Sequence, residues 1–239
     1  VKRALVTGGS GEIGAAICRR LAADGLHIFV HANRNLDNAQ RVVDAIVAEG
    51  GSARAVRFDV ANAAQTLAVL TELLNEAPIQ IIINNAGLHN DAVLPGMTAQ
   101  QWHSVIDVSL HGFFNVTQPL LLPMIRTRWG RIINITSVAA LLGNRGQVNY
   151  AAAKGALHSA TKALALEVAS RGITVNAVAP GIIETAMSAN SFDTSAIARL
   201  VPLQRSGKPF EVAELVAFLA GDSAAYITGQ TISINGGMT

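Results

Sequence analysis

The sequence predicts an α/β fold built on one doubly wound, seven-stranded parallel sheet with helices on both faces. Three observations predict it. Short β-branched or apolar runs alternate with longer stretches of helical period along the whole chain, which implies parallel strands joined by right-handed crossovers. The first run passes directly into a glycine-rich turn and a helix. No linker, composition break or internal repeat divides the 239 residues, so a single domain over 1–239 accounts for the length.

The strands are read at Ala4–Thr7, His27–His31, Ala53–Phe58, Ile79–Ile83, Arg131–Thr136, Thr174–Ala179 and Thr231–Asn235. Each is near-continuously apolar, as a strand covered on both faces requires. Helices are read near Ile13–Asp24, Leu36–Glu49, Ala63–Asn75, Gln100–Arg126, Asn149–Ser170 and Glu211–Ala220, with Thr98 and Gln101 spaced as a capping box before the fourth. Thr185–Pro209 breaks the pattern with polar residues, two prolines and no period. It reads either as a lid over a site or as a surface connection.

Half of the residues are hydrophobic and 14% are charged, ample material for a large core. Runs such as Leu120–Leu122 with Met124 and Ile125 stop far short of a membrane span of ~20 residues. The apolar stretch at the N-terminus is too short for a secretory leader, so a soluble, cytoplasmic protein is expected. A net charge of +2 and 5% aromatics give no case for nucleic acid. The one cysteine, Cys18, has no disulfide partner in the chain and falls in a helix, where burial is expected; no Cys/His cluster has metal-ligand spacing.

The turn after the first strand reads Gly8-Gly9-Ser10-Gly11-Glu12-Ile13-Gly14. Gly9, Gly11 and Gly14 make a GxGxxG pattern between strand and helix, where glycines permit close backbone approach and the helix start offers N–H groups to a pyrophosphate. This points to a Rossmann-type dinucleotide site. An NAD-specific site has an acidic residue at the end of the second strand. Here Asn33-Arg34-Asn35 stands there, with no carboxylate until Asp37. Arg34 suits a 2′-phosphate, so NADP(H) is the expected cofactor.

Tyr150 and Lys154 are four residues apart on a helix and share a face. An ammonium there favours the phenolate and helps a tyrosine exchange a proton with an alcohol or ketone oxygen. Ser137 follows the fifth strand, at the strand end where open sheets bind ligands; it reads as a partner for the same oxygen or as a turn cap.

Taken together, Thr7-Gly8-x-x-x-x-x-Gly14, Asp59-Val60, Asn84-Asn85-Ala86-Gly87, Ser137, Tyr150-x-x-x-Lys154, Asn176 and Pro180-Gly181 resemble the short-chain dehydrogenase/reductase family, from Val6 to Gly237. The resemblance implies Ser137, Tyr150 and Lys154 as catalytic residues, with hydride passing from the nicotinamide to a carbonyl. It implies a cofactor held by Gly8, Ser10, Gly11, Ile13, Gly14, Asn33 and Arg34, with Asp59 and Val60 at the adenine and Asn85, Ala86 and Gly87 beside the fourth strand. Tyr150 and Lys154 also touch the cofactor by this reading, and Pro180, Gly181, Ile183 and Thr185 position the carboxamide.

Within the family the chain is most similar to the 3-oxoacyl-acyl carrier protein reductases, through Gly143–Gly155, Ala169–Asn176 and Gly229–Met238. That likeness implies an acyl carrier protein as partner, docked on Arg128 and Arg171, and a homotetramer built on the helices near 100–126 and 149–170. Phe113, Phe114 and the apolar tail Thr231–Met238 are compatible with such burial. Leu141, Leu142, Val148 and Met187 permit an acyl chain without requiring one. Two positions depart from the family pattern: Glu12 stands where a glycine is usual, and Ser109 stands where the family has a fourth catalytic residue, an asparagine. A dehydrogenase of another small alcohol, sugar or steroid is the rival reading, and a non-catalytic NADP(H) sensor is the remote one.

Overall fold

Seven strands form one sheet in the order β3-β2-β1-β4-β5-β6-β7, every pairing parallel: β1 Arg3–Val6, β2 His27–Ala32, β3 Ser52–Arg57, β4 Ile81–Asn84, β5 Gly130–Ile135, β6 Ile173–Pro180 and β7 Thr231–Ile234. The computed structural model describes residues 1–185 and 194–239. The strand order reverses between β1 and β4, which opens a crevice beyond their carboxyl ends.

Side-chain alternation along each central strand builds two cores, one per face. Ala4, Val6, Ile28, Val30, Ile81, Ile83, Ile133 and Val178 point toward α1 (Glu12–Ala23), α2 (Leu36–Ala48) and α9 (Pro209–Ala220). Leu5, Phe29, Ile82, Ile132 and Val175 point toward α3 (Ala63–Glu76), α5 (Gly112–Thr127) and α7 (Val148–Val168). Ile81, Ile82 and Ile83 are almost wholly buried, each worth roughly 1.5–3 kcal/mol over exposure. Cys18 packs in the first of these cores, as its helical position predicts. Among the described residues no helix is long and apolar enough to cross a membrane.

Four local expectations need correction. The third strand is not buried on both faces: it is a sheet edge, and Ser52, Arg54 and Arg57 are exposed. The fourth begins at Ile81 rather than Ile79, because Gln80 is drawn to the backbone of Arg3 beside it. The long fourth helix divides into α4 (Ala99–Ile106), a π-helical turn over Asp107–His111, and α5. Thr98 and Gln101 do form the capping box that opens α4. Finally, the segment at 185–209 is not wholly irregular, since it contains α8 (Thr194–Leu200), and Ile183 bridges to Gly207 across it. Residues 186–193, Met187 among them, lie outside the described residues. A four-residue helix, α6 (Ala139–Leu142), was not foreseen.

Candidate active site

The crevice between β1 and β4 is lined at its β1 side by the glycine turn. Gly8 has φ +62°, a left-handed conformation that suits glycine. At Gly14 a Cβ would collide with the Gly8 carbonyl oxygen and lie 2.8 Å from Gly9 Cα, so nothing larger than glycine fits. Helix α1 starts behind this turn with Gly11 as N-cap and no side-chain cap. The N–H groups of Ile13 and Gly14, in the first turn of α1, therefore have no intrahelical acceptor, as suits a phosphate.

A cavity of about 190 Å³ continues from the turn, lined by Gly8, Ser10, Asn33, Val60, Ala86 and Gly87, with His31, Ala32, Leu88 and Val108 completing it. The first six are residues expected to touch a cofactor, and the structure brings them together. A tight glycine cradle, an uncapped helix start and this cavity fit a dinucleotide. Arg34 is exposed just beyond β2, and among the described residues it has no acidic partner. Asp59 accepts a hydrogen bond from Ala61 N at 3.0 Å, which shapes the turn beneath the cavity. Asn85 donates to the carbonyls of Thr7 and Gly8 at 2.9 and 3.1 Å, so its amide is spent on pinning the glycine turn to the end of β4.

His31 was missed in the sequence reading and is central to this crevice. It accepts from Gly8 N at Nδ1 (2.9 Å), so its proton is on Nε2, which donates to the Phe58 carbonyl at 2.8 Å. Burial lowers its pKa to about 4, so the ring stays neutral and the clamp holds through neutral pH. Only the packing of β2 against β3 reveals this role; alternation alone reads His31 as one more strand residue.

Ser137, Tyr150 and Lys154 converge beyond the carboxyl ends of β4 and β5. Ser137 lies just past β5, and its Oγ accepts from Ala139 N at 3.1 Å, so the turn-cap reading is realised. The same hydroxyl acts on the phenol of Tyr150, lowering its pKa, so the two readings of Ser137 coexist. The Lys154 ammonium donates to the Ile135 carbonyl at 2.8 Å and lies 5.8 Å from the Tyr150 ring centroid. Asn149, fully buried, fixes the start of α7: it donates to the carbonyls of Asn90 and Gln101 and accepts from Tyr150 N at 2.8 Å.

The electrostatics correct one expectation. Burial raises the Tyr150 pKa, the Ser137 hydrogen bond pulls it back, and Asp91 adds a further rise. Lys154 does not hold the phenol down at this separation; burial wins. Lys154 itself falls to about 8 because it is wholly buried. Ser109 sits on the π-helical turn, buried, with its hydroxyl unpartnered among the described residues. A Cβ on Gly87 would lie 3.2 Å from Lys154 Nζ and 3.8 Å from Ser109 Oγ, so both groups face the same small space. A π turn at this point turns Ser109 inward.

The other expected residues divide between this crevice and the rest of the fold. Pro180 accepts from Val138 N at 2.8 Å, next to Ser137. Gly181 packs against Asn235, where a Cβ would approach within 2.7 Å; Ile183 is buried, and Thr185 closes the first described stretch. Asn84 donates to Thr117 and Asn134, both side chains, rather than to the backbone, whereas Asn176 does bind backbone groups, at Ile227 and Gln230. Arg128 and Arg171 are neighbours, the first donating to the Ser170 carbonyl at 3.4 Å. They precede β5 and β6, whose first residues pair, and so lie at the opposite end of the sheet from Tyr150.

Residues 2–196 match the short chain dehydrogenase family. The chain is 44% identical over 236 residues to the 3-oxoacyl-[acyl-carrier-protein] reductase FabG of Aggregatibacter actinomycetemcomitans, covering 98% of each. It is 46% identical over 237 residues to the 3-oxoacyl-[acyl-carrier-protein] reductase of Synechocystis sp., covering 98% of this chain and 96% of that one. To the FabG of Staphylococcus aureus strain N315 it is 43% identical over 240 residues, covering 99% and 98%.

Proposed function

The chain belongs to the short chain dehydrogenase family, and on that premise we propose that it reduces the ketone of a 3-oxoacyl thioester, presented on an acyl carrier protein, to the 3-hydroxyacyl product with NADPH. It is an oxidoreductase acting on CH–OH groups, and a bound nicotinamide cofactor supplies the hydride. The observation that carries the reading is the convergence of Ser137, Tyr150 and Lys154 beside the glycine cradle.

The chain's own residues take the following parts. Ser137 donates to the ketone oxygen and holds it beside the Tyr150 phenol. Tyr150, kept protonated by burial, gives its proton to that oxygen as negative charge develops there. Lys154, seated against Ile135 O and beside Gly87, supplies positive charge and a donor for the cofactor's ribose. Arg34, with no carboxylate beside it at the end of β2, favours the 2′-phosphate of NADP(H). Leu141, Leu142 and Val148 are exposed around α6 and the start of α7, which suits an acyl chain entering past Ser137. The stretch from α8 (Thr194–Leu200) to α9, which bridges Gly207 back to Ile183 just past β6, suits a lid, in a single cytoplasmic domain.

Docking of the acidic carrier falls to Arg128 and Arg171. Because they sit away from Tyr150 of the same chain, this fits a homotetramer in which a carrier on one protomer reaches the site of another. Phe114 on α5, Leu122 on α5 and Leu166 on α7, exposed at 62%, 64% and 85%, offer the apolar faces for it.

The test is NADPH oxidation with a 3-oxoacyl thioester, on carrier protein and as a small surrogate, with NADH and Arg34→Ala alongside. The reading expects NADPH to be preferred, the preference to fall about tenfold in Arg34→Ala, and the carrier-bound substrate to react at lower concentration. Tight NADPH binding with no oxidation of either thioester would overturn the substrate assignment.

A further inference from the structure

His89 lies on the loop that follows β4 and is not part of the machinery set out above. Its ring stacks on that of Tyr150, centroids 4.2 Å apart and planes 27° from parallel. The stack is anchored from behind. Gln147 accepts at Oε1 from Asn144 (3.0 Å), which turns its amide nitrogen toward the loop, where it donates to Asp91 at 2.8 Å and to His89 Nδ1 at 3.2 Å. An amide nitrogen only donates, so Nδ1 accepts and the His89 proton is on Nε2.

The charged and titratable groups that face His89 are Asp91, 3.9 Å away on its own loop, and Tyr150 and Lys154 on α7. Burial and Lys154 lower its pKa against the opposing pull of Asp91, so the stacked ring is neutral. The loop is tied to the start of α7 twice more, by Asn149 to the Asn90 carbonyl and by Ala92 N to the Gly146 carbonyl at 2.9 Å. Tyr150 is thus held at its backbone by Asn149 and on its ring face by His89. A phenol ring otherwise turns about two side-chain bonds, and proton transfer demands one orientation.

We propose that His89 is a positioning residue for the reduction, its imidazole clamping the ring of Tyr150 while Gln147 and Asp91 hold the imidazole in place. The proposal rests on Tyr150 as proton donor but on no particular ketone. Ring and anchor make separable contributions. His89→Phe keeps a flat face against the phenol and loses the anchor; His89→Gln keeps a polar group toward Gln147 and loses the ring; His89→Ala loses both.

The experiment measures kcat and KM for any ketone that the wild type reduces, NADPH affinity, and the phenol titration of ring-labelled tyrosine by NMR. The chain has two tyrosines, Tyr150 buried and Tyr226 fully exposed, and Tyr150→Phe assigns their signals. His89→Ala and His89→Gln should lose on the order of tenfold in kcat with KM and NADPH affinity little changed, and His89→Phe should recover most of it. The Tyr150 titration should fall in His89→Ala and stay high in His89→Phe. A His89→Ala enzyme with wild-type kcat and Tyr150 titration would overturn the proposal. So would His89→Gln equalling wild type while His89→Phe does not, which assigns the effect to the polar atom. A Tyr150→Phe enzyme that still reduces the ketone normally would overturn the proton-donor reading itself, and the clamp with it.

Discussion

Where the strands begin, Arg3 and Arg131 are buried and paired. Arg3 donates to the carbonyls of Leu73 and Ala77 and to Glu76 at 2.9 Å, and its guanidinium lies over the Phe29 ring. Arg131 donates to Gly130, Gly221 and Asp222 and lies over Trp129. Where the strands end, Lys154 is wholly buried with one carbonyl for company and, among the described residues, no carboxylate. Beside it are an uncapped helix start, a phenol held protonated and a buried hydroxyl, Ser109, without a partner among the described residues. Burying polar groups unpaired costs stability, so a fold that tolerates it at one end and not the other marks the end built for ligand and chemistry.

The comparison is broken hardest at Tyr150. Tyr150→Phe removes the proton donor and keeps the ring, so kcat should fall by roughly 10²–10⁴-fold with NADPH affinity preserved. Gly14→Ala should come next. The added methyl collides with the Gly8 carbonyl, and NADPH affinity, read by fluorescence titration, should drop on the order of 100-fold. At the opposite end, Arg3→Met strands the carbonyls of Leu73 and Ala77 and leaves Glu76 to Arg54, which should cost about 1–3 kcal/mol in chemical denaturation with no change in kcat for the remaining folded enzyme.

On stability, Lys154→Met gives the smallest effect and the opposite sign. Free lysine titrates near ~10.4 and folded Lys154 near about 8, so between those values the unfolded chain binds more protons. Stability without cofactor should therefore rise with pH from about 8 toward 10 in the wild type. The methionine variant should lack that rise and be roughly 1–3 kcal/mol more stable at neutral pH, the gain trimmed by the donor that Ile135 loses.

The sheet and the glycine cradle were legible in the sequence because both are local. Alternating apolar runs mark strands, and Gly9, Gly11 and Gly14 announce their turn within one short stretch. Tyr150 and Lys154 were legible for the same reason, four residues apart on one helix. His31, His89 and Asn149 were not, because each acts on a partner brought to it by folding: Gly8, the Tyr150 ring, and the Asn90 and Gln101 carbonyls. The π turn that carries Ser109 has no composition signal, since its residues continue the helical period on either side. The direction of the Tyr150 shift was misjudged because an i,i+4 spacing gives proximity to an ammonium, whereas burial is set by the whole fold.

The most direct test is a single turnover with NADPH carrying deuterium at both hydrogen positions of nicotinamide C4 and a 3-oxoacyl thioester, the product being read by mass spectrometry. The account predicts deuterium on the carbon that bears the new hydroxyl in the wild type, and next to none in Tyr150→Phe over the same time. A product without deuterium on that carbon, or a labelled product that forms equally fast without the Tyr150 hydroxyl, would contradict it.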